Sequence, residues 1–323
     1  MLPVHLHADS IRIGKHCRIS FQRTLRIPDD GRAYPLPPGL GRFPIHNVSD
    51  FKGRVPSSWL EHGGVFIPMY QREALWLAFD GAHWRPNAMK IAAGKINAVS
   101  GTFLDMKFSK RRQDYIVVPD QPWLDGFKSG NGTIRQFIAM PLGMGYTVEG
   151  QLTGSEDTGG MQIVVFDPKP GKFPDRAPRS SYREEMVCCC ASPAMGIAAG
   201  GKINQKVYPD EYGPDTWDEG NYGRLFVHIV NSMMYREITG HEPPATPVTA
   251  RAYAEHSLPW FDLYDDRLGD VSPSDQLAGV KFVKDMDKVK GFEPQQDDGS
   301  VEVEPGKIKK LQLWGKTVDD GKW

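Results

Sequence analysis

The sequence lacks an excess of charge of either sign. Lys and Arg number 39 against 40 Asp and Glu in 323 residues, a formal net charge of −1. A chain so balanced has no electrostatic footprint for nucleic acid or an anionic membrane surface, so neither partner is expected. No apolar run approaches the ~20 residues that a membrane-spanning helix needs. Cysteine is scarce: four residues, three of them consecutive at Cys188, Cys189 and Cys190. That pattern is not a disulfide framework. In a strand consecutive side chains alternate in direction, so the three thiols do not converge on one metal ion, and they read as small buried hydrophobes. Met1 to Asp9 lacks the basic end and apolar core of a secretory leader, so a reducing, cytoplasmic setting is expected.

Catalytic signatures are missing as well. There is no Gly-x-Ser-x-Gly elbow, no His-Glu-x-x-His and no Gly-x-Gly-x-x-Gly, and the nine histidines have no metal-ligand spacing. Gly196 to Lys202 fits part of a phosphate-binding loop. However, Ile203 stands where Ser or Thr is needed, and no apolar-striped helix follows. No cofactor and no metal are expected, and these patterns do not decide whether the chain is an enzyme.

What the chain does have is a string that returns. Met89-Lys-Ile-Ala-Ala-Gly-Lys-Ile-Asn97 reappears, with one more glycine, as Met195-Gly-Ile-Ala-Ala-Gly-Gly-Lys-Ile-Asn204. A glycine pair and a strand-like run precede each copy, at Gly63 to Tyr70 and Gly159 to Phe166. Another apolar run follows each, at Asp114 to Val118 and Leu225 to Val230. The second copy is longer, by residues placed in the Pro-rich segment from Pro168 to Pro178. This self-similarity predicts duplication of a β unit, with pseudo-repeats over about 60–120 and 157–232.

Strand signals dominate before residue 230. Cys17 to Ile27 alternates apolar and polar residues. Gln71 to Asp80 reads as strand or helix; as a strand it alternates with both faces apolar and is buried on both sides. Thr133 to Met140, Tyr146 to Leu152 and Met161 to Phe166 are separated by Gly-rich turns. Helix signals come late: Met233 to Thr239 stopped by Gly240, and Thr249 as a cap for Ala250 to His256. Ser272-Pro-Ser-Asp275 then opens a helix striped by Phe282, Met286 and Val289 and closed by Gly291. The expected fold is mainly β: a duplicated sandwich or barrel-like body over residues 1–270, then a short helix and an extended arm over 271–323. The polar arm needs an anchor to be ordered, and Trp314 and Trp323 supply candidates.

Two sets of residues carry candidate chemistry. If the halves pack about a pseudo-twofold axis, Lys95, Asn97, Lys202 and Asn204 face one cleft, where two cations and two amides suit an anionic small ligand. The segment Tyr208 to Tyr222 concentrates Asp210, Glu211, Asp215, Asp218 and Glu219 with four aromatic residues, among them Trp217. Rings beside carboxylates suit a sugar, by stacking, hydroxyl acceptance and an acid/base pair. The leading expectation is a non-enzymatic binding or assembly protein that self-associates through its C-terminal arm. The alternative is an enzyme acting on a carbohydrate or another small polar ligand through the carboxylates of residues 208–222.

Overall fold

A computed structural model describes residues 1–176, 195–256, 258–263, 269–293, 295 and 299–311. Cys188, Cys189, Cys190, Trp314 and Trp323 lie outside the described residues. The chain is mainly β: the described residues form one 17-stranded sheet and a second sheet of two strands.

The first strands follow the alternation of the sequence. β1 (Val4–His7) and β2 (Ser10–Ile13) form a hairpin, and β2 pairs with β3 (Cys17–Thr24). Short strands β4 (Ala33–Tyr34), β5 (Gly39–Arg42) and β6 (His46–Asn47) lead to helix α1 (Ser57–His62) and β7 (Val65–Pro68). Residues 71–80 resolve as strand β8 (Ala74–Asp80), antiparallel to β3 with Phe21 opposite Leu77. Cys17, Ile19 and Phe21 of β3 and Leu75, Leu77 and Phe79 of β8 enter the main core. Arg18, Ser20, Gln22, Trp76, Ala78 and Asp80 take the other face.

The middle of the chain supplies β9 (Asn87–Ala93), β10 (Ile96–Asn97), β11 (Ile116–Val118), β12 (Trp123–Leu124), β13 (Gly126–Gly130) and β14 (Thr133–Pro141). Long strands β15 (Met161–Pro168), β16 (Met195–Asn204) and β17 (Trp217–Val230) complete the large sheet. β15 lies between β9 and β17, both antiparallel to it, while β7 joins the far end of β17 in parallel. Met89, Ile91, Ile163, Val165, Leu225 and Val227 bury their side chains in the same core as β3 and β8. Each fully buried Leu, Ile or Phe contributes about 1.5–3 kcal/mol, and the sheet must curl to give one core to so many rows.

The two copies of the repeated string do not trace the same path. In the first, Gly94 and Lys95 are both left-handed (φ 54° and 64°), and the chain turns back to set Ile96 opposite Ala93. In the second, the string runs on as β16, paired with β14 and, in parallel, with β4. Gly201 is needed there for another reason: a Cβ would stand 2.5 Å from the carbonyl oxygen of Pro28. With the extra glycine the string runs on as a strand whose register shifts at Gly200 and Gly201, where it passes close to a neighbouring backbone.

Tyr146 to Leu152, expected as a strand, is mostly helix α2 (Val148–Thr153). Thr147 caps it by accepting the Gly150 N–H at 3.0 Å, and Gly154 closes it in the left-handed conformation. Local capping outweighs the period-two pattern here. The later helices fall near their signals: α3 (Ser232–Thr239), α4 (Ala250–Glu255) capped by Thr249, α5 (Asp275–Gly279) and α6 (Val283–Val289). The cap of α5 is Ser274, not Ser272, and Val280 interrupts the expected single helix. Val289 is 64% exposed, so Val283 and Met286 make the inward contacts of α6.

The expected boundary at residue 270 does not separate packing units, because Val271, Leu277 and Val280 belong to the main core. The described part of the arm docks on its own body. β19 (Ile308–Leu311) pairs in parallel with β18 (Trp260–Leu263), and Val301 is buried beside Tyr34 and Trp260. Among the described residues no helix is long and apolar enough to cross a membrane.

Candidate functional site

A cleft of about 670 Å³ opens on the outer face of β9, β15 and β17. Its floor follows from register. Gln162 stands between Ala92 and Phe226, and Val164 between Lys90 and Arg224. One wall is the loop of residues 99–114, which brings in Leu104 and Met106; the other is α1, which brings in Glu61 and His62.

Lys90 holds the loop wall in place. It is fully buried, and its ammonium donates to the carbonyl oxygen of Asp105 at 2.9 Å, to that of Lys107, and to Asp114 Oδ2 at 2.7 Å. Three acceptors from one loop satisfy all three donors of the cation, which is what makes its burial tolerable. Burial raises the Asp114 carboxyl, while the hydrogen bond and charge of Lys90 oppose the rise.

Lys95 sits at the cleft in a left-handed conformation that costs a side-chain-bearing residue roughly 1–2 kcal/mol. A two-residue turn with both central φ angles positive matches the twist of the hairpin it closes. Gly94 is required at the first position, since a Cβ there would fall on the Glu149 side chain. The turn is fixed from β15: the Lys95 N–H donates to Gln162 Oε1 at 2.7 Å, and Gln162 Nε2 donates to the carbonyl oxygen of Gly159 at 2.9 Å.

Four rings line up beside it. His62 stacks on Phe226 with centroids 4.5 Å apart and planes 4° from parallel. Phe226 stacks on His228 at 4.3 Å, and His228 on Trp59 at 4.5 Å. Phe226 and His228 share one face of β17, two residues apart, while Trp59 and His62 lie one turn apart on α1. The helix can come this close because of Gly64, whose added Cβ would strike the carbonyl oxygen of Phe226. His228 is 3% exposed, and burial lowers its pKa to about 4, so it is neutral at pH 7. Its Nε2 lies 3.1 Å from the Gly63 carbonyl oxygen, an acceptor only, which assigns the proton to Nε2.

A smaller cavity of about 90 Å³ shares His62 and His228 and is also lined by Ser58 and Asp157. No hydrogen bond joins Ser58 to His62, so this group contains no hydroxyl activated by a base. Among the described residues no three His, Cys, Asp or Glu side chains are placed to hold a metal ion.

Of the residues expected to form a ligand site, Lys95 lines the cleft and the others lie elsewhere. Asn97 is 1% exposed and caps a turn: its Oδ1 accepts from Val99 and Ser100, and its Nδ2 donates to the Asp114 carbonyl oxygen. Lys202 stands between Arg135 and Ala33 in the sheet, and Asn204 is exposed at the end of β16. The shared cleft for these four required two equivalent turns, and only the first copy makes one.

Several side chains of the 208–222 segment likewise hold the fold together. Trp217 is fully buried, packs with Phe166 and Tyr115, and donates its indole N–H to Asp210 Oδ2 at 2.9 Å. The Trp217 ring is therefore closed to a sugar, while Tyr212 is 39% exposed. Asp210 Oδ2 also accepts the Tyr115 hydroxyl. The Asp215 side chain is 80% exposed beside Lys110, Asp218 accepts from the Gly220 N–H, and Glu219 accepts from the Phe108 N–H. Each of these carboxylates has a different partner among the described residues.

Glu61, His62, Gln162, Arg224, Phe226 and His228 carry no motif. A period-two reading of 222–228 puts Tyr222, Arg224, Phe226 and His228 on one face, the only local signal available. No protein-family model, no curated protein and no solved structure matches the chain.

Proposed function

We propose that this protein binds a small organic anion with an apolar body in the cleft between α1 and the 99–114 loop. One observation carries the reading. Lys95 and Arg224 stand at the cleft, both exposed and neither in an ion pair among the described residues, beside apolar Leu104, Met106 and Phe226. Two unneutralised cations attract a carboxylate, sulfonate or phosphate, and the apolar surfaces take the rest of the molecule. A volume of about 670 Å³ suits a drug-sized ligand. Lys95 held in a strained backbone conformation fits a residue kept for its side chain. A binding role is favoured over catalysis because, among the described residues, no hydroxyl or thiol side chain lines the cleft. Self-association through the C-terminal arm gains no support from residues 299–311, which dock on their own body.

The test uses 1-anilinonaphthalene-8-sulfonate, an anion with an apolar body, titrated into the full chain. Saturable, salt-weakened binding is expected, reduced at least about tenfold in Lys95→Glu and Arg224→Glu. Far-ultraviolet circular dichroism and melting curves confirm that both variants fold. Binding that ignores both substitutions, or no saturable binding at all, removes the proposal.

A further inference from the structure

We infer that the outer face of β5, β3 and β8 is a second binding site, and that its ligand is a hexopyranose. A cleft of about 300 Å³ opens on this face, lined by Arg18, Ser20, Gln22, Arg42, Trp76 and Asp80. None of these residues lines the larger cleft, so the inference stands apart from the proposal above.

Register builds the site. Gln22 lies between Arg42 of β5 and Trp76 of β8; Ser20 is opposite Ala78, and Arg18 opposite Asp80. Side chains two residues apart on β3 and on β8 therefore share one face. The Trp76 indole reaches across towards β5, where a Cβ on Gly39 would be 3.6 Å from its six-membered ring. Trp123, opposite Ala78 on β12, meets it edge-on at 6.3 Å and 72°.

Three features of this face point to a ligand. The first is the indole itself: its Nε1 is buried with no hydrogen-bond partner. An unmade hydrogen bond is a penalty that an aliphatic residue avoids, so the large flat ring is kept for its face. The second is the pair Ser20 and Gln22, 5% and 9% exposed. Gln22 Nε2 donates to Ser20 Oγ at 2.9 Å. That leaves the Ser20 hydroxyl hydrogen and Gln22 Oε1 without partners among the described residues. One free donor and one free acceptor thus sit side by side beneath the cleft. The third is Asp80, exposed at the cleft and in no ion pair among the described residues.

The chemistry of that set matches a sugar. A pyranose has an apolar C–H face that lies on an aromatic ring, and a rim of hydroxyls that each donate and accept. Serine, amide and carboxylate side chains around one indole supply both roles. Charge argues against a nucleotide: Arg18 faces Asp80 across the strands, and Arg42 Nη1 donates to Asp9 Oδ2 at 2.8 Å, so no net positive field remains for a phosphate. The volume is at the lower end of the range for ligand sites, which suits a single ring.

The experiment is saturation-transfer difference NMR on the full chain with the methyl glycosides of glucose, galactose and mannose, with N-acetylglucosamine, and with adenosine. At least one hexose derivative is expected to bind with a dissociation constant on the order of 1 mM. Trp76→Leu is expected to weaken it about tenfold and Gln22→Ala severalfold, while Trp76→Phe, which keeps a flat ring, retains most of the affinity. Lys95→Glu is expected to leave it unchanged. The inference is overturned by no transfer to any hexose derivative at about 50 mM, by binding of adenosine alone, by Trp76→Leu binding as wild type does, or by loss of binding in Lys95→Glu.

Discussion

His62 and Phe226 lie face to face, 4.5 Å apart and 4° from parallel, although one ends a helix and the other sits mid-strand. The ladder they begin runs from an exposed imidazole at the cleft to Trp59 and His228 in the interior. The ladder thus joins the cleft to the packing behind it through three ring contacts.

Replacing Lys95 with glycine relieves a left-handed side-chain-bearing residue. We expect Lys95→Gly to gain roughly 1 kcal/mol in urea unfolding while weakening the anilinonaphthalene sulfonate probe. Loss of stability in this variant means that the Lys95 side chain supports the fold rather than a ligand.

His228 gives the fold one slope against pH. Its folded pKa of about 4 lies below the ordinary value of 6.5, because burial disfavours the imidazolium. Between those values the unfolded chain binds the extra proton, so stability falls as pH drops from about 6.5 to about 4, by on the order of 3 kcal/mol. His228→Phe keeps a ring in the ladder and is expected to flatten the melting temperature over this window. An unchanged acid limb in the variant contradicts this assignment.

Asp125 gives the opposite slope. It is fully buried, and burial raises its carboxyl to about 7, with the hydrogen bond from Gln205 acting the other way. Between about pH 4 and 7 the folded state keeps a proton that the unfolded chain has released, so stability declines as pH rises. Asp125→Asn is expected to be more stable than wild type at pH 8, with a profile that climbs more steeply from pH 4 to 7. A variant less stable than wild type at pH 8 argues that the carboxylate is ionised in the fold.

Lys90→Met leaves Asp114 buried beside two carbonyl groups that have lost their donor. A loss of about 3–5 kcal/mol is expected, partly recovered in the double variant Lys90→Met/Asp114→Asn. Urea midpoints measure both. The probe should also bind less well to the single variant, because the loop that carries Leu104 and Met106 loses its tether.

How much of this was legible in the sequence depends on the range of the interaction. Cys17 to Thr24 read correctly because alternation is a local signal that burial reinforces, whereas residues 71–80 left strand and helix open until pairing with β3 decided for strand. Thr249 and Gly240 read correctly for the same reason, as caps act within one turn. The string at Met89 and Met195 misled: identical residues take different backbone paths when one extra glycine and different neighbours are present. The cleft was out of reach. Gln162, Arg224 and Lys95 meet because β15 pairs with both β9 and β17, and nothing local in any of the three names its partners. The platform around Trp76 was half visible: its alternating face could be read, but its cross-strand neighbours Gln22 and Arg42 could not.

The parallel pairing of β7 with β17 also limits how the chain reaches this state. Val65 must wait for Val227, so no hairpin or nascent helix can nucleate that seam. Until the second half has emerged and closed over the first, β7 is an apolar ribbon with an unpaired edge. Slow docking of that seam, and clumping of truncated chains, are the outcomes expected from it in refolding experiments.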